Sequence, residues 1–345
     1  MQIVNLHILI FKKNNNTMKK QFFGVLLIAA SLCVACDTDT DPEQDNNNAE
    51  QPATPEQPAT AEVGSSQQYL RAATIFNNAF DESGAALRQV SLAAAAPART
   101  ASAEEPAAGP KVTWVCDNAD NNFPVTVTVD YGTTNVAGLD GRLHRGKMIV
   151  KATGPYAAEG TKIDVDFDGW FVDNIKVEAD MTVENNGRDS LGHCQFEVNI
   201  SKGQLTANDT TVFAYSEASL RTWTVGEDEP DLTKHTYSIV GIQEGVTSDN
   251  FSYNIECDAD PMVVNVGTPF PLSGTLNVKI PTSALEKLFP DYADVLKVLY
   301  PEKFEFQLVF VGDNKAKTVF TLLNPTTGET QTIESEPYDL TAVFN

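Results

Sequence analysis

The chain has 345 residues, with 47 acidic side chains against 24 basic ones and a formal charge of −23. A field of that sign repels phosphates, which argues against nucleic acid and anionic lipid headgroups as partners. Setting aside the four lysines of residues 1–36, a stretch without acids, leaves 20 positive charges against 47 negative, a formal −27. About 235 residues, from Lys111 onward, carry the patterning of ordered structure. That length supports a substantial core, so disulfides are not required for stability.

In chain order, Lys19-Lys20 precede an uncharged run from Phe22 to Ala35 and then Cys36. A basic lead, an apolar core and small residues before a cysteine form an export signal with its processing site. The reading places the natural start at Met18. The apolar run falls short of the roughly 20 residues that span a bilayer. Val34-Ala35-Cys36 resembles the lipobox of bacterial lipoproteins, which implies an acylated Cys36 at the head of the mature chain. Cys33 is the poorer site because bulky Leu32 stands before it. Each buried acyl CH₂ contributes about 0.8 kcal/mol to membrane attachment, so several chains hold firmly. Asp37, Asp39 and Asp41 alternate with Thr38 and Thr40, which resembles the surface-export tethers of Bacteroidota lipoproteins. Residues 37–65 continue as an acidic, proline-rich tether with Glu-Gln-Pro-Ala-Thr at 50–54 and again at 56–60. Such composition cannot bury enough apolar surface to offset its conformational entropy.

Tyr69, Ala73, Phe76, Phe80, Leu87 and Val90 then fall at helical spacing and predict a helix over 66–92 with one docking stripe, interrupted at Gly84. A linker is expected over 93–110. From Lys111 the period changes to two. Phe123 to Tyr131, Ile175 to Val183, Phe196 to Ile200, Phe251 to Ile255, Leu276 to Ile280, Phe304 to Phe310 and Tyr338 to Phe344 alternate apolar with polar. Alternation marks strands with one wet face, which favours antiparallel pairing. Asn185-Asn186-Gly187 is a hairpin-turn signal. Ser283 and Glu286 form a capping box ahead of a helical run that Pro290 kinks or splits, so a helical crossover is expected over 283–300. The predicted fold of 111–345 is mainly β, an antiparallel twisted sheet or a β-sandwich.

Asp140-Gly141-Arg142, Arg145 to Val150, Thr153-Gly154, Gly160-Thr161, Thr182 to Gly187, Arg221-Thr222-Trp223 and Tyr237 to Gly241 together resemble a group of uncharacterised Bacteroidota cell-envelope lipoproteins across about 111–280. The resemblance implies an all-β envelope domain and supplies no catalytic residues.

Candidate chemistry is sparse. Cys116, Cys194 and Cys257 lie in phase with apolar neighbours, either as three buried thiols or as one disulfide and a free thiol; an apolar setting suppresses the reactive thiolate. His193 and Cys194 are strand neighbours and should diverge. No zinc-ligand spacing, serine elbow, phosphate loop or dinucleotide fingerprint is present, so no cofactor is expected. Asp164, Asp166 and Asp168 share one strand face and are weak candidates for calcium, which wants six to eight oxygens. Trp170 falls out of phase beside Gly169, so it either faces outward as a sugar-stacking platform or turns inward through a bulge. Asp189-Ser190-Leu191 and Asp209-Thr210-Thr211 resemble short bacterial O-glycosylation acceptors. The expected role is non-catalytic: a lipid-anchored, surface-exposed outer-membrane domain that binds a glycan or an envelope or host protein. The alternatives are a structural envelope protein without a soluble ligand and a carboxylate-based glycoside or polysaccharide hydrolase.

Overall fold

A computed structural model describes residues 65–95, 109–118, 122–207, 211–227, 229, 231–248, 250–288, 290–323 and 330–341. The export signal, Cys36, the tether up to residue 64 and most of the expected linker lie outside the described residues.

One antiparallel sheet accounts for nearly all of the remainder. Its strands are β1 (Lys111–Cys116), β2 (Val125–Asp130), β3 (Val136–Ala137), β4 (Leu143–Ala152), β5 (Lys162–Val172), β6 (Ile175–Arg188), β7 (Cys194–Ala207), β8 (Thr211–Val225), β9 (Thr236–Val246), β10 (Ser252–Asn265), β11 (Gly274–Pro281), β12 (Lys303–Gly312), β13 (Lys315–Leu323), β14 (Thr330–Glu334) and β15 (Tyr338–Asp339). The path β1-β2-β4 and onward to β14 follows chain order, with β3 added beside β4 and β15 beside β13. This is an open meander, with β1 and β14 at opposite ends.

The period-two pattern becomes a continuous inner row. Trp114 pairs with Val127, and the register carries on through Val150, Val165, Met181, Ile200, Glu217, Gln243, Ile255, Val278 and Phe306. From Val127 onward every member of that row is buried, while flanking residues such as Asp164, Asp166 and Asn199 face water. Clean alternation therefore produced one dry face and one wet face, as strand geometry requires.

Helix α1 (Ser65–Ala95) lies against the dry face of the first lobe. The sequence predicts a single apolar stripe, but the helix is buried on all sides: Gln68, Arg71, Asn78 and Glu82 are enclosed along with Phe76 and Phe80. Phe76 stacks on Tyr215 of β8 at 5.1 Å and meets Phe167 of β5 edge-on at 6.2 Å. Phe80 meets Tyr237 of β9 at 5.2 Å and Phe196 of β7 at 5.8 Å. A helix touching so many strands sits in a trough that the twisted sheet wraps around it.

Beyond β10 the dry face is covered by the crossover. As Pro290 requires, it splits into α2 (Thr282–Leu288), a 3₁₀ turn at Pro290–Tyr292 and α3 (Ala293–Leu299). Ala284, Leu285 and Leu296 are buried there.

Two local expectations are corrected. Asn185-Asn186-Gly187 is a bulge inside β6, and the chain reverses later, at Asp189–Gly192. The reason is the buried Asn185 side chain, whose Nδ2 donates to the Tyr156 carbonyl at 2.9 Å and whose Oδ1 accepts from Gly187 N at 2.8 Å. The last strand covers only Tyr338–Asp339, and residues 342–345 lie outside the described residues.

Gly84 does not interrupt α1. A Cβ there would stand 2.8 Å from Tyr156 Cζ, and that ring is itself stacked on Phe196 at 4.6 Å. Glycine is thus required by close approach rather than by backbone shape. Gly84→Ala, worth about 0.5–1 kcal/mol of stabilisation in an open helix, should instead destabilise by about 1–3 kcal/mol in urea unfolding.

A carboxylate-lined cleft between α1 and the sheet

One face of α1 presents Thr74, Asn77, Asn78 and Asp81, positions three and four apart. Opposite them runs the loop from Asn265 to Pro271, and Asp140 enters from the turn before β4. Arg221 of β8 and Tyr237 of β9 close the base with Phe80. The enclosed space, about 450 Å³, opens to solvent. Its rim is formed where the two loops meet: a Cβ on Gly267, whose φ is +81°, would lie 3.2 Å from the Leu139 carbonyl oxygen.

The hydrogen-bond donors of this lining are largely engaged. Arg221 Nη2 donates to Glu217 Oε1 at 2.8 Å, and its guanidinium lies 4.5 Å from the Phe80 ring centre. Glu217 also accepts from Tyr215 at 2.6 Å and from Ser219. Asn265 Nδ2 donates to the His235 carbonyl at 3.0 Å. The hydroxyl of Thr74 lies within reach of the Leu70 and Pro269 carbonyls, at 2.9 and 3.0 Å.

The acceptors are not. Asn78 Oδ1 and Asp140 Oδ2 are buried without a partner, as is the donor Arg221 Nε. Asp81 makes no hydrogen bond to any of the described residues. Burial pushes its carboxyl up to about 7 from an ordinary value of 3.8; Glu82 and Asp140 add to the rise, and Arg221 and Arg88 oppose it.

Behind the cleft, the other charges on α1 are compensated. Glu82 Oε1 accepts from Leu139 N at 3.0 Å, and Tyr131 also bonds to Glu82. Burial still raises the Glu82 carboxyl. Asp140 Oδ1 lies 3.2 Å from His144 Nε2 and 3.0 Å from Arg142 N. His235 is fixed as one tautomer: its Nε2–H donates to the Glu229 carbonyl at 2.7 Å, so Nδ1 accepts from Arg88 Nη1 at 2.8 Å. Desolvation lowers the pKa of that ring, which keeps it neutral.

The residues nominated from sequence lie elsewhere. Trp170 is fully buried, stacked on Phe167 at 5.1 Å and beside His144 at 5.4 Å. It is not a surface sugar platform, because Gly169 adopts φ +58° at a bulge that turns the ring inward. Asp164, Asp166 and Asp168 are exposed on the wet face, where Asp166 pairs with Lys151 at 2.7 Å. Among the described residues no three His, Cys, Asp or Glu side chains gather into a metal site. Cys116, Cys194 and Cys257 are free thiols, the first half-buried and the others buried. Burial pushes Cys257 up to about 11 and raises Cys194 as well. His193 pairs with Asp189 in the β6–β7 turn at 3.3 Å and diverges from Cys194.

Asp81, Asp140 and Asn78 escaped the sequence reading because polar positions beside an apolar helical stripe look like a solvated face. The available signal was the run Asn77-Asn78 with Asp81-Glu82, two polar pairs on a helix otherwise rich in buried apolar residues.

No family model matches the chain, and no curated protein or solved structure matches it either. No helix among the described residues is long and apolar enough to cross a membrane.

The raised Asp81 carboxyl sets the sign of a stability effect. The unfolded carboxyl ionises first, so native stability falls as pH rises from about 4 through about 7. Asp81→Asn should therefore be more stable than the parent at pH 8, by up to about 4 kcal/mol and less where water reaches the carboxyl. The gain should vanish near pH 4 in paired urea titrations.

Proposed function

We propose that the protein is a lipid-anchored outer-membrane domain, displayed at the cell surface, with a non-catalytic binding role centred on the α1 cleft. The observation that carries the binding role is the set of unpartnered acceptors, Asn78 Oδ1 and Asp140 Oδ2, held beside Asp81 in a solvent-open cleft. Buried polar atoms are normally paired, and orphans beside open space suit a ligand. Supporting the anchor are Lys19-Lys20, the apolar run and Val34-Ala35-Cys36. A glycan, or an envelope or host protein, is the partner class that a surface address favours.

A second reading is favoured by the two carboxylates themselves. Asp81 titrates near 7, and an acid with a raised pKa beside a second carboxylate is the pairing that glycoside hydrolysis uses. Release of reducing sugar from a polysaccharide panel, lost in Asp140→Asn, would establish it over the binding role.

Cys36→Ala should abolish incorporation of labelled fatty acid and release the chain from the membrane fraction. Protease shaving of intact cells should remove the domain while a periplasmic control survives. Survival of the domain on intact cells, with cleavage after lysis, would overturn the surface placement.

A further inference from the structure

The chemistry of the cleft narrows the ligand class, on the reading that the cleft is a binding site. Its unmet hydrogen-bonding capacity is mainly that of acceptors. Asp81, Asp140 Oδ2 and Asn78 Oδ1 await donors, and Asn78 and Arg221 are more than nine-tenths buried. Arg221 does not neutralise them outright, because its Nη2 is committed to Glu217 and its face to Phe80. The surrounding walls are apolar: Phe80, Tyr237 and Phe270 are buried, and Pro269 and Pro271 line the mouth. Calcium would need six to eight oxygens, which aromatic and proline walls do not supply. A group with several N–H donors and a positive charge, on an apolar stem, matches two carboxylates, an amide oxygen and hydrophobic sides. The formal −23 of the chain also draws cations toward its surface.

We infer that the cleft binds a small ligand carrying a protonated primary amine, its ammonium held by Asp81, Asp140 and Asn78 and its carbon skeleton lying on Phe80, Tyr237 and Phe270.

The pH dependence follows from the groups that face Asp81. On α1 these are Glu82 and Arg88, from the turn before β4 Asp140, and from β8 Arg221 with its partner Glu217. Tyr237 of β9, whose hydroxyl is raised well above 10, stays neutral, and the Asn265–Pro271 loop contributes no titratable group. The ammonium keeps its charge from pH 5.5 to 8, whereas Asp81 loses its charge as pH falls through about 7. Binding should therefore weaken on acidification, by about tenfold or more between pH 8 and pH 5.5.

The test is isothermal titration calorimetry on the full-length protein in detergent at pH 8. The probes are 1,4-diaminobutane, 2-phenylethylamine, the neutral isostere 2-phenylethanol, and calcium chloride. The expected result is saturable one-site binding of an amine, little or none of the alcohol, and at least tenfold weakening in Asp81→Asn. Because that variant should be more stable at pH 8, its loss of binding cannot be ascribed to unfolding. Equal binding of amine and alcohol overturns the inference, as does amine binding indifferent to Asp81→Asn. So does calcium binding that competes with the amine, or no heat from either amine up to 10 mM. If a neutral oligosaccharide binds and is lost in Asp81→Asn while amines do not bind, the ammonium assignment fails and the binding role stands. Failure of every ligand class together with intact-cell protease resistance defeats the underlying reading instead.

Discussion

The structure depends on covering one dry sheet face. Alternation of apolar and polar residues along a meander from β1 to β14 gives every strand an inner side that water must not reach. A sandwich would cover it with a second sheet, whose edges need their own partners. Helix α1 closes the first lobe at lower cost, because its backbone hydrogen bonds are internal and it can stand in an apolar trough without donor or acceptor neighbours. Aromatic rings do most of the filling: Phe76 and Phe80 from the helix, Phe167, Phe196, Tyr215 and Tyr237 from the strands. Gly84 belongs to the same arrangement, since it lets the Tyr156 ring lie directly on the helix backbone.

Burial of α1 on every side has an electrostatic consequence. A helix docked by one stripe leaves its polar face in water, but here that face must find partners inside the protein. Gln68 exchanges two bonds with Ser248, at 2.7 and 2.8 Å. Arg88 meets His235 and lies 4.9 Å from the Trp223 ring centre, and Glu82 meets Leu139 and Tyr131. The inner row of the sheet follows the same rule, for its one ionisable member, Glu217, is matched by Arg221, Tyr215 and Ser219. Against that background of compensated charge, the unmatched atoms of Asn78, Asp81 and Asp140 stand together around one opening.

Much of the fold was legible in the sequence, because strand alternation is local and its period distinguishes a wet face from a dry one. The Phe304 to Phe310 run and the split at Pro290 are instances. What was not legible depended on residues far apart in sequence. Asn185 builds a bulge rather than a turn because Tyr156, 29 residues earlier, offers a carbonyl to its side chain. Trp170 turns inward because Gly169 shifts the β4–β5 register. The cleft is the extreme case, since it joins α1 to a turn near residue 140 and a loop near residue 268. No spacing rule connects those segments, and only the wrapped sheet brings them together.

Asp81 is where these constraints conflict. A carboxyl on a helix face between Phe80 and Glu82 is deprived of water by the loops that seal the dry face, yet no described side chain or backbone N–H donates to it. Packing alone does not require this. Asparagine or serine would fit the position without the ionisation penalty, and neighbouring polar residues on the same helix show that partners can be supplied. The arrangement carries a stability cost at neutral pH that its own scaffold does not relieve. Sites that bind ligands commonly hold such costs, because a group already paired within the protein has less to offer a partner from solution. The placement is consistent with that logic: the uncompensated carboxyl faces the one opening between α1 and its two covering loops, while the compensated charges lie behind it.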